Sequence, residues 1–221
     1  SAEKVSTICN RAFEGCGNLV SVNMPDVKSI GKNAFASCDK MKSVTGDKVD
    51  EVGDFAFSGC ASLRTASFKK LRRIGTGMFS RCPKLTLITS GGLKNVGEAA
   101  FADCISLKMV QMVGVRGIGD EAFRGCISLE TAIADDSESV GDGAFRGCTS
   151  LRLVSLKSVK KIGDLAFDGC VSVEHMYFGK SPSMGFGALE LGTSSRRAIA
   201  TIHGPVRPRT FENTDLVYVK E

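Results

Sequence analysis

Phenylalanine returns along this chain at a fixed interval. Phe13, Phe35, Phe57, Phe79, Phe101, Phe123, Phe145 and Phe167 are each 22 residues apart, with no insertion or deletion between them. The same phase predicts a ninth position at Leu189 and a tenth at Phe211. Other apolar columns keep step. Five residues before each Phe stand Ile8, Ile30, Val52, Ile74, Val96, Ile118, Val140, Ile162 and Met184. The position one before is Ala in every unit from Ala12 to Ala188 except at Met78. Three after come Cys16, Cys38, Cys60, Cys82, Cys104, Cys126, Cys148 and Cys170; six after, the column runs from Leu19 to Val173; nine after, from Val22 to Met176. A catalytic motif normally occurs once. A phrase such as Ile118–Leu129, repeated nearly unchanged at Val140–Leu151 and Ile162–Val173, has a structural job in each unit.

The spacings inside a unit predict its elements. Ala, Phe and Cys at i, i+1 and i+4 share one face of a short helical turn. Asp54, Glu98, Asp120, Asp142 and Asp164 stand where an acidic side chain would cap the first N–H groups of that turn. The glycine before them, Gly31 through Gly185, would let the chain turn sharply into it. LRLVSL (Leu151–Leu156) and LRTASF (Leu63–Phe68) then switch to period two, which predicts a short strand with Val154 and Leu156 inward and Leu153 and Ser155 outward. A unit this small cannot bury its own apolar face. Stacked units bury Ile on Ile and Phe on Phe, with strands parallel because every coil repeats the last in the same direction. The expectation is a solenoid of about ten coils combining α and β structure. A parallel β-helix of the same period, with another strand in place of the helix, is the alternative.

The pattern I-G-x-x-A-F-x-x-C-x-x-L-x-x-V-x-L resembles the BspA-like, or Treponema-type, leucine-rich repeat, from about Ile8 to Val173 and more weakly beyond. The resemblance implies an α/β solenoid with a curved parallel β-sheet on its concave face and short helices opposite. It also implies a non-catalytic recognition role, toward a protein or glycan, on a cell surface or in a secreted protein, with adhesion as one use. A structural spacer or assembly module within a larger protein is the alternative function. The whole chain, 1–221, reads as one solenoid, with regular repeats over 8–180 and degenerate repeats and a cap over 181–221. In that last part Gly192 replaces the ladder Cys, Ser195 the Leu, and Thr214 the next Cys. Few residues precede Ile8, so the chain reads as a fragment of a longer array or one lacking a helper segment.

Composition changes this picture little. A net charge of +5 permits an acidic partner without requiring one. No apolar run approaches the ~18 residues of a membrane helix, so no membrane insertion is expected, and SAEKVSTICN lacks a signal peptide's apolar stretch. Neighbouring coils place the Cys column within disulfide reach. Beside Phe and Ala, however, the thiols should sit buried and mostly reduced over Cys38–Cys170. There is no C-x-x-C, and the two histidines, His175 and His203, both lie in the C-terminal quarter, so neither metal nor cofactor is expected. No nucleophile with a paired base stands out, which argues against an enzyme. Gly185-Phe186-Gly187 is only superficially a phosphate loop, because it falls in the repeat phase.

Function should lie where the repeat varies. Eight residues after each Phe the outward column reads Ser21, Ser43, Thr65, Leu87, Met109, Thr131, Leu153 and His175. Ten after, it reads Asn23, Thr45, Ser67, Thr89, Gln111, Ile133, Ser155 and Tyr177. The first three coils are small and polar; from the fourth onward large residues appear. Leu87, Met109, Gln111, Ile133, Leu153, His175 and Tyr177 are therefore the candidate binding residues. A second surface is basic: Arg72, Arg73, Lys94, Arg116, Lys160 and Lys161 share the turn before the Ile column, interrupted by Asp50, Glu51 and Glu138. A solvated turn accounts for it, and a polyanion is the lesser reading; no aromatic residues interleave as single-stranded nucleic acid would need.

Overall fold

A computed structural model describes residues 5–180, 182–192, 199–202 and 217–220. They form a parallel β-solenoid of about nine turns. Each coil from the first to the eighth carries two strands, except the fifth, which has only the first of them. A two-residue strand holds the Ile column, from Thr7–Ile8 to Ser183–Met184, and pairs in parallel with its neighbours one repeat away, as Gly117 with Ser139 and Ile118 with Val140. A longer strand of three or four residues follows the Leu column, from Ser21–Asn23 to His175–Phe178, and continues through Ile199–Ile202 to Val217–Lys220. The expected tenth coil departs from the ruler: His175 pairs with Ile199 and Ile199 with Val217, so the interval is no longer constant. Phe211, His203, Ser195 and Thr214 lie outside the described residues.

The core is the set of columns read from the sequence. From Phe35 to Phe167 every ruler Phe is buried, and the eight rings from Phe13 stack coil on coil with centroids 5.1–5.7 Å apart. Leu189 takes the ninth position and is buried. Two further columns complete it, the first expected only at the Leu156 position of the repeat pattern and the second not foreseen. One, eleven after Phe, includes Phe68, Met112, Leu156 and Phe178; the other, fourteen after, includes Leu71, Leu93, Val115 and Val159. Ser137 interrupts the latter, and its hydroxyl donates to the Val115 carbonyl at 2.9 Å. Among the described residues no buried side-chain N or O lacks a hydrogen-bond partner.

The short helices are corrected: the described residues contain none. The segment around each Phe is a run of β-turns. In the sixth coil the Gly119, Glu121, Phe123 and Cys126 carbonyls accept from the N–H three residues on. The intervening N–H groups of Glu121, Phe123 and Gly125 donate instead to the next coil, at Asp142, Ala144 and Arg146. A helix is impossible because the residues two before and two after Phe have left-handed backbone, as at Glu121 (φ 52°) and Gly125 (φ 70°). A positive φ at the third residue of a turn is the type II signature. Neither is this a third strand, so the β-helix alternative also falls short.

The acidic residues and glycines have jobs other than those expected. The Asp120 carboxylate accepts the N–H of Asp142, Asp142 that of Asp164, and Asp164 that of Phe186, so each caps the next coil. Occupied by that bond, the Phe186 amide is no phosphate donor. The glycine four before Phe has no left-handed φ; it is there because coils touch. A Cβ on Gly119 would stand 2.7 Å from the Glu98 nitrogen and the Gly97 carbonyl carbon, and one on Gly53 would stand 2.5 Å from the Lys32 nitrogen.

The cysteines form a ladder of donors. Each thiol from Cys38 to Cys170 donates to the carbonyl of the Phe in the preceding coil at 3.0–3.2 Å. None of the nine is bridged; seven are buried, and Cys9 and Cys16 are exposed. Burial pushes the Cys126 and Cys170 thiols up to about 12. A small thiol reagent should therefore modify two cysteines in the native protein and nine after denaturation without reductant. Fewer than about two in the denatured protein would mean disulfides. In the unfolded chain these thiols ionise near 9.0, so the folded state keeps protons that the unfolded state loses. Their contribution is complete below about pH 9 and drains as pH climbs toward about 12. The melting temperature should hold steady through neutral pH and fall above about pH 9; a rise there would contradict the assignment.

Candidate recognition face

The outward columns lie on the longer strands, where period-two alternation turns one set of side chains to the core and the other to solvent. In the first three coils this face is polar; Thr45 donates to Asn23 at 2.8 Å across coils. From the fourth coil it changes. Leu87 is 55% exposed, Met109 67% and Ile133 46%, on three successive coils, with Gln111 exposed among them. Leu153 and Tyr177 are half-buried and His175 is exposed. Leu153 is in register with His175, and Ser155 with Tyr177. The His175 and Tyr177 rings stack at 6.2 Å. Ser155, expected outward, is buried, with its hydroxyl hydrogen-bonded to the Asp135 carboxylate at 2.5 Å.

The candidates are not on one continuous sheet. Leu87 belongs to a four-stranded sheet ending at Leu87–Ser90, whereas Ile133, Leu153, His175 and Tyr177 belong to a five-stranded sheet beginning at Thr131–Ile133. Met109 and Gln111 lie between, in a segment that pairs with neither. Its side chains still alternate, with Val110 and Met112 buried. Ile88, next to the interruption, is only partly buried where most of its column is sealed. The fifth coil also exposes Ile105 and Val113, at 42% and 69%. These two were missed because they fall outside the strand columns. The fifth coil thus exposes Ile105, Met109 and Val113, and the sixth Ile127 and Ile133.

A coil-on-coil stack with parallel strands, an apolar ladder and a varied outward face defines a leucine-rich repeat solenoid. The family model for the BspA type leucine-rich repeat region matches residues 2–108 and 87–188, and the chain belongs to that family. Repeat proteins of this kind are generally non-catalytic and suggest interaction or surface roles. Among solved structures, a leucine-rich repeat protein from Bacteroides ovatus is 26% identical with a TM-score of 0.56, covering 98% of this chain and 76% of that one. The T. pallidum leucine-rich repeat protein is 30% identical with a TM-score of 0.53, covering 76% of this chain and 72% of that one. The pneumococcal vaccine antigen PcpA, 15% identical, shares the fold at a TM-score of 0.52, covering 98% and 85%. The comparison with curated proteins found no match. No helix among the described residues is long and apolar enough to cross a membrane.

Proposed function

We propose that this chain is a non-catalytic recognition module that binds a protein partner through the sheet face, at a cell surface, with its anchor on coils four to six. The supporting observation is the run of exposed Leu87, Met109 and Ile133 on a face whose first three coils carry only small polar residues. Apolar side chains clustered on an otherwise polar face favour contact with a partner over contact with water. Leu153, His175 and Tyr177 extend the same surface along the solenoid, and Gln111 supplies a polar group within it. A glycan could use the His175–Tyr177 end; the aliphatic centre favours protein. Adhesion follows if the partner sits on another cell.

The test compares bait capture by the wild type with capture by a Leu87→Asp/Met109→Asp variant and by a Leu153→Ala/Tyr177→Ala variant. All three should melt as folded proteins, because the first pair is exposed and the second is on the surface side of its strands. Loss of the same captured protein in both variants is expected. A spacer, whose contacts lie at its ends, would lose nothing, and that result would remove the reading.

A further inference from the structure

The other uncommitted surface is the basic turn preceding the Ile column. Elsewhere, adjacent coils tend to answer charge with opposite charge. Lys48 meets Asp26 at 2.6 Å, Arg146 meets Asp168 at 2.9 Å, Arg152 meets Glu174 at 2.6 Å and Lys157 meets Asp135 at 2.8 Å. At the turn, three cations stack instead. The Lys94 N–H donates to the Arg72 carbonyl and the Arg116 N–H to the Lys94 carbonyl, each at 2.7 Å, which fixes them one above another. All three are exposed. Among the described residues Arg72 and Lys94 have no ion-pair partner, and Arg116 has only Glu138 at 3.6 Å, which holds Lys160 more closely at 2.6 Å. Asp50, which lines a hollow with Arg72, bounds the row on the other side. Like charges about 5 Å apart, the spacing of paired strands, repel one another.

Beside this row runs a shallow groove of about 280 Å³, whose lining includes Arg73, Asn95, Gly117 and Ser139 with apolar Val96 and Ile118 between them. Its strands pair in register, Arg73 with Asn95 and Asn95 with Gly117, so it follows the solenoid axis. Glycine at Gly97 and Gly117 leaves the groove floor as bare backbone, while Arg73 adds a fourth cation and Asn95 and Ser139 add neutral hydrogen-bonding groups.

We infer that the Arg72–Lys94–Arg116 row and the groove beside it bind a linear sulfated polysaccharide lying along the solenoid axis. Cations in single file suit anionic groups repeated along one chain, and the Asn95 and Ser139 side chains in the shallow groove can bond sugar hydroxyls. Nucleic acid fits less well, because no aromatic side chain lines the groove to stack on a base. The surface is separate from the recognition face, so either assignment can fail alone.

Heparin is the probe, with fully desulfated heparin and an oligonucleotide of matched length as comparisons, across a salt series. Wild type should bind heparin at low salt and release it as salt rises. Arg72→Glu/Lys94→Glu should weaken binding by about tenfold or more, whereas Lys84→Glu/Lys180→Glu, an equal charge change at exposed sites elsewhere, should alter it less than about twofold. Bait capture through the sheet face should be unchanged in both. If the Glu variant melts abnormally, Arg72→Gln/Lys94→Gln replaces it. No heparin binding by wild type, equal loss in the two charge variants, undiminished binding of the desulfated probe, or tighter binding of the oligonucleotide would each overturn the inference.

Discussion

Replacing Phe123 by Ala should cost about 3–5 kcal/mol, the range for deleting a fully buried Phe. The ring is 0% exposed and stacks at 5.2 Å on both Phe101 and Phe145. Its removal therefore opens a void at two coil interfaces together. The substitution leaves the Phe123 carbonyl in place, but that oxygen accepts both the Cys126 N–H and the Cys148 thiol at 3.1 Å, so relaxation into the void would strain the thiol ladder. In a stack where each coil touches only its neighbours, the two halves should uncouple and the melt should broaden or split. Arg124, the next residue, is half-buried at the surface and pairs with Glu121 at 3.0 Å and Asp103 at 3.2 Å. Arg124→Ala should cost roughly 0.5 kcal/mol or less. Phe13, 39% exposed with a ring neighbour in Phe35, should cost less than Phe123. Urea melts of the three variants decide it; equal effects of Phe123→Ala and Arg124→Ala would mean that the Phe column does not mark the core. The same comparison at Phe211, which the sequence also suggests, concerns a position outside the described residues.

Gly119→Ala should be the next most damaging change, at about 1–3 kcal/mol. The new methyl would meet main-chain atoms of Gly97 and Glu98, which have no side-chain rotation by which to withdraw. Coils five and six would have to part, lengthening the bond from the Gly119 N–H to the Val96 carbonyl, now 2.8 Å. Gly147 is a contrast, because its φ is +71° and a Cβ there would meet nothing closer than 3.9 Å. Gly147→Ala pays only for left-handed backbone, roughly 1–2 kcal/mol. Asn tolerates that backbone better than Ala, so Gly147→Asn should recover part of the loss and Gly119→Asn none. Thermal melts of the four variants separate the mechanisms; recovery by Asn at Gly119 would contradict the steric account.

The sequence reveals the repeat because strict apolar columns are what a stack of identical coils demands. The ruler, the buried cysteines and the parallel strands were all legible from column identity. The turn run was not. Ala122, Phe123 and Cys126 have helical spacing, and only backbone sign distinguishes a helix from turns. Gly59, Gly125, Gly147 and Gly169 hint at left-handed backbone two after Phe. Two before it, Phe55, Ala99, Glu121 and Leu165 adopt the same sign with no residue preference to announce it. The column eleven after Phe was legible at Leu156 but not along its length, because large and small residues alternate, as Gly46 beneath Phe68, where a Cβ would approach the ring to 3.3 Å. The candidate face was read as two columns, but the sheet interruption at Met109–Met112 was not, since those residues alternate like any other strand of the series. The basic row was visible as composition; that Arg72 and Lys94 lack ion-pair partners among the described residues required the stack.

The most direct test of the solenoid is removal of one coil. Deleting residues 119–140 joins Ile118 to Gly141 and brings Phe101 against Phe145, with every column still in phase, because coils pair at a 22-residue separation. Deleting 119–129, half as much chain, removes a turn run and leaves its strand without a matching coil. The account predicts that the whole-coil deletion folds and melts cooperatively in urea, while the half-coil deletion fails to fold. A half-coil deletion as stable as the whole-coil deletion would contradict the architecture.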